Sequence, residues 1–311
     1  MIPFSKYHGL GNDFILFDDS DGTIVSRFTP RVIRALCHRQ TGIGGDGILI
    51  RSFPLPSAVG QGGGDHKMLL YNADGSSAEI SGNGLRCFVL YLNERGYPTD
   101  HELAIETGGG IQRAHLINEH TVESTMPTPI FPSASVSSSP ASLSYSPPPA
   151  GGQGGVSAAS GQGGTPAPLH LTNKDLTFSV LPVNVGNPHG VIFGPERDIP
   201  FAEKYGPGLE HDPAFPAGAN IEFVHVLNNR SCKLVVWERG AGITLACGSG
   251  SVATACAGAA VGHFVFDLPI AVHQPGGTLE ITVGANFSSV RQRGPATFVF
   301  RGELDLSGFG K

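Results

Sequence analysis

Two short segments related by a shift of 166 residues carry the side chains of an acid–base site. Ser81-Gly82-Asn83-Gly84 aligns on Cys247-Gly248-Ser249-Gly250, and nine residues earlier Tyr71-Asn72 aligns on Trp237-Glu238. In each copy an apolar strand pattern leads into a Gly-containing turn, then a small nucleophilic side chain, then Gly-x-Gly opening a helix pattern. A side chain at that point sits at a helix N-terminus. Unpaired backbone N–H groups and the positive dipole end attract an anion there and lower the pKa of a thiol. Cys247 is therefore expected to be partly thiolate near neutral pH, suited to removing or returning a proton. The glycines let a carboxylate approach the exposed amides closely. Two such termini facing each other across a cleft would hold one carboxylate-bearing substrate between two acid/base side chains.

A lone cysteine before a Gly-rich helix ordinarily packs as a small hydrophobe, and the internal copy is what favours chemistry at Cys247. Cys37, Cys87, Cys232 and Cys256 lack that context and are expected in the core. Five cysteines without a CxxC pair point to neither a disulfide framework nor a metal site. Arg239, alone in an apolar, Gly-rich stretch, suits a carboxylate clamp. Asn12, Asn72, Asn187 and Asn220 each fall in a turn, where backbone capping is the common role. His189 beside Pro188 suits a structural histidine equally well. Gly42, Gly44 and Gly47 spell G-x-G-x-x-G, but a helix pattern precedes them and a strand pattern follows, the reverse of a dinucleotide-binding turn.

The elements that must position these residues read as a mixture of strands and a few helices. Phe14-Ile15-Leu16-Phe17, Ile48-Leu49-Ile50 and Met68-Leu69-Leu70-Tyr71 are strand patterns. Helix patterns run over Pro30 to Arg39, over Leu85 to Tyr97 with Leu85, Phe88, Val89 and Leu92 on one face, and from about Gly250 to Val261. Val180 to Phe193, Ile221 to Leu227, Lys233 to Trp237, Leu279 to Val283 and Thr297 to Phe300 are further strand candidates, with regular structure resuming by Leu176. Between them, about 128–168 is Ser, Pro, Gly, Ala and Gln with very few charges, a composition that cannot bury enough apolar surface to fold and predicts a disordered insert. A second echo, Gly11-Asn12 before Phe14-Ile15-Leu16-Phe17 and Gly186-Asn187-Pro188-His189 before Val191-Ile192-Phe193, supports two copies of one unit.

Composition narrows the class. The chain has 311 residues, enough for two domains, with 44 Gly, 24 Pro and 15% charged residues against the ~25% usual for soluble domains. A net charge of −6 and the lack of a Lys/Arg cluster exclude a nucleic-acid footprint. Residues between Gly240 and Phe266 include no Asp, Glu, Lys or Arg, but recurrent Gly makes this a buried Ala/Gly-rich helix rather than a membrane span. Met1 to Lys6 lacks the charged start and apolar core of a secretory signal, so a cytoplasmic location is expected.

At these residues the chain resembles the diaminopimelate epimerases, which epimerise an amino acid without pyridoxal phosphate. The resemblance rests on Lys6 to Phe14, Thr41 to Gly47, Asn72 to Ser76, Gly82 to Cys87, Gly186 to His189, Asn220 to Phe223, and Glu238 to Gly242 running to Ala246 to Gly250. It implies an α+β fold of two pseudo-symmetric halves, each a strand-rich barrel around a central helix. Residues 1–118 plus 295–311 would form one half and 119–294, with the insert, the other. The resemblance further implies that Cys247 is one of two catalytic cysteines. Asn12, Asn72, Asn187, Asn220, Glu238 and Arg239 would bind substrate, Gly82, Asn83, Gly248 and Ser249 would hold the reacting carboxylate, and His189 would assist. The resemblance implies a small amino acid as ligand, with no cofactor, nucleic acid or membrane involved, and admits a homodimer. The reaction implied is interconversion of LL- and meso-2,6-diaminopimelate in lysine and cell-wall precursor synthesis.

Two positions depart from that pattern. Ser81 stands where the family has its other cysteine, and a hydroxyl is far less acidic than a thiol of pKa ~8.5. Three readings stay open at this level: an inactivating substitution, a one-thiol relative catalysing dehydration, isomerisation or another racemisation, and a binding paralogue without turnover. Ile243 stands where the family commonly has Glu.

Overall fold

Strands buried on both faces explain the continuous apolar runs of this sequence. Leu16 and Leu49 point into one core cluster, while Ile15, Phe17, Ile48 and Ile50, their neighbours along the strands, point into another. The computed structural model describes residues 1–19, 21–52, 64–79, 81–132 and 166–309. Its helices are α1 (Pro30–Cys37), α2 (Gly82–Glu94), α3 (Ile199–Glu210) and α4 (Gly248–Ala260). The strands before the insert are β1 (Ile2–Gly9), β2 (Asn12–Asp19), β3 (Gly47–Ser52), β4 (His66–Asn72), β5 (Ser77–Ala78), β6 (Leu103–Thr107), β7 (Gly110–Asn118) and β8 (Thr121–Met126). After it come β9 (Leu169–Asn173), β10 (Leu176–Asn184), β11 (Pro188–Phe193), β12 (Asn220–Asn228), β13 (Ser231–Glu238), β14 (Gly242–Ile243), β15 (Pro269–Gln274), β16 (Gly277–Val283), β17 (Val290–Pro295) and β18 (Thr297–Leu304). The low-complexity segment lies outside the described residues over 133–165; at its leading edge Ile130 bridges to Asn184.

Neighbour relations repeat between the halves. One line of strands runs β8-β7-β6-β4-β3-β2-β1-β18 and the other β17-β16-β15-β13-β12-β11-β10-β9, joined by antiparallel pairing of β8 with β17. In each line the same two contacts are parallel: β2 with β3 and β4 with β6, then β11 with β12 and β13 with β15. The first line packs around α2 and the second around α4. This is the α+β arrangement of two similar strand-rich halves around central helices expected from the sequence. Strand β8 serves both, since Val122 packs in the α2 cluster and Met126 in the α4 cluster.

Because each central helix is enclosed, neither is amphipathic in the ordinary sense. Residues Asn83 to Leu92 of α2 are all buried, not the single face read from the sequence. Helix α4 is buried on nearly every side, and its Ala and Gly side chains let strands close in around it. No helix among the described residues is long and apolar enough to cross a membrane.

The outer helices differ in legibility. Helix α1 is capped by Thr29, whose hydroxyl accepts from Val32 N, and has Pro at its start. Helix α3 is not among the elements expected from the sequence, and it contains Gly206-Pro207-Gly208, residue types that ordinarily interrupt a helix. It forms behind the Asp198 cap, with Pro207 inside it. A Cβ at Gly206 would lie 2.4 Å from Trp237 Cγ, so the glycine is what brings α3 onto β13. One other expectation changes: Val180 to Phe193 is two antiparallel strands turning at Gly186, whose φ is +104°; regular structure has resumed by Leu176, beginning at Leu169.

Candidate active site

Ser81 and Cys247 occupy the same position in the two halves, each the N-cap of its enclosed helix. Ser81 Oγ accepts from Gly84 N at 3.1 Å, and Cys247 Sγ accepts from Gly250 N at 3.3 Å. Amides of Gly82, Asn83, Gly248 and Ser249 fall in the first turns, where N–H groups have no intrahelical acceptor. Each terminus therefore offers free donors beside a side chain able to carry a proton.

Side-chain amides tie the two termini together. Asn83 Nδ2 donates to Ala246 O at 3.3 Å and to Asn12 Oδ1 at 3.2 Å. Gln292 Nε2 donates to Gly248 O at 2.9 Å, and its Oε1 accepts from Arg86 at 3.0 Å. A Cβ at Gly82 would lie 2.9 Å from the same Gln292 oxygen, so Gln292 touches the first residue of both helices. Cys247 N is held by Gln274 Oε1 at 2.7 Å. On the other side Asn12 Nδ2 donates to Asp46 Oδ2 at 2.9 Å, and Asp46 also takes Arg39 at 2.6 Å. Asp13 completes this cluster with Lys6 at 2.6 Å and Arg39 at 2.8 Å, and the two cations hold its carboxyl down at about 2 against burial.

The thiol environment corrects the sequence expectation. Burial, with the charges of Glu238 and Glu222, pushes the Cys247 thiol well above its ordinary pKa, outweighing the hydrogen bonds from Ser249 and Gly250 N. Cys247 is only 4% exposed, so desolvation of the thiolate dominates. The Glu238 carboxyl, whose charge opposes the thiolate, is itself raised by burial and takes a hydrogen bond from Thr244 Oγ1. Cys247 is thus held as a protonated thiol, with the Glu238 and Glu222 charges opposing its ionisation.

Glu222 lies in the Asn220 to Phe223 motif, where the sequence assigns it no role. Its Oε1 lies 2.6 Å from His189 Nδ1, and both side chains are fully buried. A Cβ at Gly250 would meet Glu222 Oε1 at 3.0 Å and Cys247 Sγ at 3.3 Å, which puts this carboxyl under the thiol at the start of α4. His189 Nε2 lies 3.0 Å from Asn187 Oδ1. An apolar cleft of about 60 Å³, lined by Pro132, Pro182, Phe215 and Pro216, opens beside His189.

The remaining sequence candidates join the same neighbourhood by shorter links. Asn220 Oδ1 accepts Arg239 N at 2.8 Å, and Asn220 Nδ2 donates to Pro188 O at 3.3 Å. Arg239 is exposed and donates to Ala217 O at 3.1 Å. Its turn is fixed by buried Glu210, which accepts from Trp237 Nε1 at 2.7 Å and Gly240 N at 2.9 Å. Asn72 is the outlier: its amide is exposed and bonds Ser76 Oγ at 3.0 Å, and it reaches the rest through its pairing with Gly47 and through Ala73 N to Asp46 O. Ile243 faces away, packed with Trp237 against the α3 cluster. Cys37, Cys87, Cys232 and Cys256 are buried free thiols in the cores. Gln292 and Glu210 act across the fold and nothing in their local sequence marks them, whereas Asp46 lies in the Thr41 to Gly47 motif, which by itself does not reveal its contact with Asn12.

Comparison with known proteins gives this arrangement a family. The profile described as diaminopimelate epimerase matches residues 4–131 and 181–299. A diaminopimelate epimerase of Picosynechococcus is 37% identical over 308 residues, 98% of this chain and all of the relative. A chloroplastic diaminopimelate epimerase of japonica rice is 36% identical over 309 residues, 97% of this chain and 79% of the relative. Among solved structures, a probable proline racemase of Agrobacterium radiobacter shares the fold with a TM-score of 0.65 at 12% identity, covering 98% of this chain and 93% of that one. A Bacillus anthracis phenazine biosynthesis protein of the PhzF family gives 0.63 at 16% identity, covering 97% and 98%. Paired helix caps on a duplicated fold, matched along nearly the whole chain by these relatives, mean that the chain belongs to the diaminopimelate epimerase family.

Proposed function

We propose that the protein interconverts LL- and meso-2,6-diaminopimelate by proton transfer at Cα without a cofactor. The observation that carries this reading is the equivalent placement of Ser81 and Cys247 as caps of two enclosed helices whose first turns are tied together. The α-hydrogen of an amino-acid zwitterion is a very weak acid, so removing it needs water excluded, fixed dipoles and a positioned base. First-turn amides of Gly82 and Asn83, with those of Gly248 and Ser249, would hold the reacting carboxylate and the charge that develops on it. Cys247 would serve one face of Cα, and the Ser81 hydroxyl the other. Asn12, Asn72, Asn187, Asn220 and Arg239 would hold the amino acid and its distal end, with His189 assisting.

The bacterial and plastid relatives support a diaminopimelate substrate, and we place the activity in the cytoplasm or its plastid equivalent. Strand β18 pairs with β1 alone among the described residues and exposes Val299 and Phe300, which supports a homodimer through that edge. The test of function is chiral separation of LL- and meso-diaminopimelate with time. The wild-type chain brings either isomer to a mixture, and Cys247→Ala does not; activity retained in Cys247→Ala would overturn the reading. Ser81 favours a second reading, one-sided chemistry such as isomerisation or loss of water, because a hydroxyl does not ionise as a thiol does. A product of altered mass or unsaturation would establish it.

A further inference from the structure

Arg86 is 0% exposed, and none of its hydrogen-bond partners carries a charge. Nε donates to Pro295 O at 3.1 Å and one terminal nitrogen to Gln292 Oε1 at 3.0 Å, while the other reaches Asn83 Oδ1. Burial lowers this guanidinium to about 10, which leaves it charged at neutral pH. A buried cation with only neutral acceptors is costly, so its geometry calls for an explanation.

The two amides that Arg86 engages explain it. A side-chain amide has an oxygen that only accepts and a nitrogen that only donates. With both oxygens turned to Arg86, both nitrogens are turned to the other half of the molecule. Asn83 Nδ2 then meets Ala246 O at 3.3 Å, and Gln292 Nε2 meets Gly248 O at 2.9 Å. Ala246 and Gly248 are the residues on either side of Cys247. Only the planar, multi-donor fork of arginine can orient two amides and a carbonyl at once.

We propose that Arg86 is a positioning residue for Cys247: by fixing the orientation of Asn83 and Gln292, it clamps the backbone on both sides of the thiol from across the molecule. This rests on the reading that Cys247 transfers the α-proton. Proton transfer is sensitive to sub-ångström placement, so a loosened clamp lowers turnover while substrate contacts made elsewhere persist.

The decisive variant is Gln292→Glu in the full-length chain. A carboxylate keeps an oxygen for Arg86 and supplies the counter-charge it lacks, but has no N–H for Gly248 O. The expected result is a melting temperature equal to or above wild type, with kcat for Cα exchange of meso-diaminopimelate down about tenfold or more and KM within about twofold. A purely structural role for the cluster instead preserves kcat along with stability. Arg86→Lys, which keeps the charge and loses the fork, is expected to lower kcat in the same way. The double variant falls no further than the worse single one, because both act through one clamp. Wild-type kcat in folded Gln292→Glu, or losses that multiply in the double variant, overturn the inference. A wild-type chain that exchanges no α-proton overturns the underlying reading as well, so the two failures are distinguishable.

Discussion

His189 Nδ1 and Glu222 Oε1 lie 2.6 Å apart with neither side chain exposed, and Glu222 Oε2 has no hydrogen-bond partner. Burial pushes this carboxyl above its ordinary 4.5, with His189 pulling the other way. A carboxyl raised on folding binds more protons in the native than in the unfolded chain between the two pKa values, so stability falls as pH rises through that interval. Glu222→Gln removes this titration. Its melting temperature relative to wild type is expected to climb from pH 4.5 towards neutrality. A difference that stays flat with pH would show that Glu222 titrates as an ordinary surface carboxyl.

Restoring a thiol at the other cap tests the opposite face. Ser81→Cys is expected to raise both Cα exchange and epimerisation by about 10²–10⁴-fold, the range typical of one acid–base group. The measurement is the rate at which LL- and meso-diaminopimelate interconvert. No gain would remove residue 81 from the chemistry.

How far the sequence revealed this site depends on the range over which each signal acts. The shift of 166 residues located both helix caps, because capping and Gly-x-Gly are local signals. Continuous apolar runs located β2, β3 and β4. Local patterns fall short where packing decides: Gly206-Pro207-Gly208 lies inside a helix whose glycine is required by Trp237. The thiol was expected to ionise readily because a helix terminus is visible in sequence, whereas burial and the approach of Glu222 and Glu238 are not. Gln292 stayed silent for the same reason, since its role arises only when β17 crosses between the halves.

Cys247 chemistry gives a direct check on that reversal. With its pKa raised by burial first and by Glu238 and Glu222 next, alkylation of Cys247 by iodoacetamide, followed by mass spectrometry, is expected to have its pH midpoint above that of a free thiol. Glu238→Gln removes one opposing charge and is expected to shift the midpoint downward. A wild-type midpoint below ~8.5 would show that the helix terminus dominates after all.

Packing between α3 and β13 is tested by Gly206→Ala, whose Cβ would lie 2.4 Å from Trp237 Cγ. Overpacking of this kind costs about 1–3 kcal/mol. A lower melting temperature is expected, together with weaker substrate binding because Trp237 precedes Glu238 and Arg239. Gly194→Ala, with nothing within 4 Å of the added carbon, is the control expected to change little. Equal effects of the two would contradict the account of α3.

Proton exchange in deuterium oxide is the most direct measure of the central claim that Cys247 and residue 81 serve opposite faces of one Cα. Nuclear magnetic resonance of meso- and LL-diaminopimelate incubated with the wild-type chain is predicted to show deuterium entering Cα, with Cys247→Ala abolishing it and Ser81→Cys accelerating it. Deuterium incorporation that persists undiminished in Cys247→Ala would contradict the account.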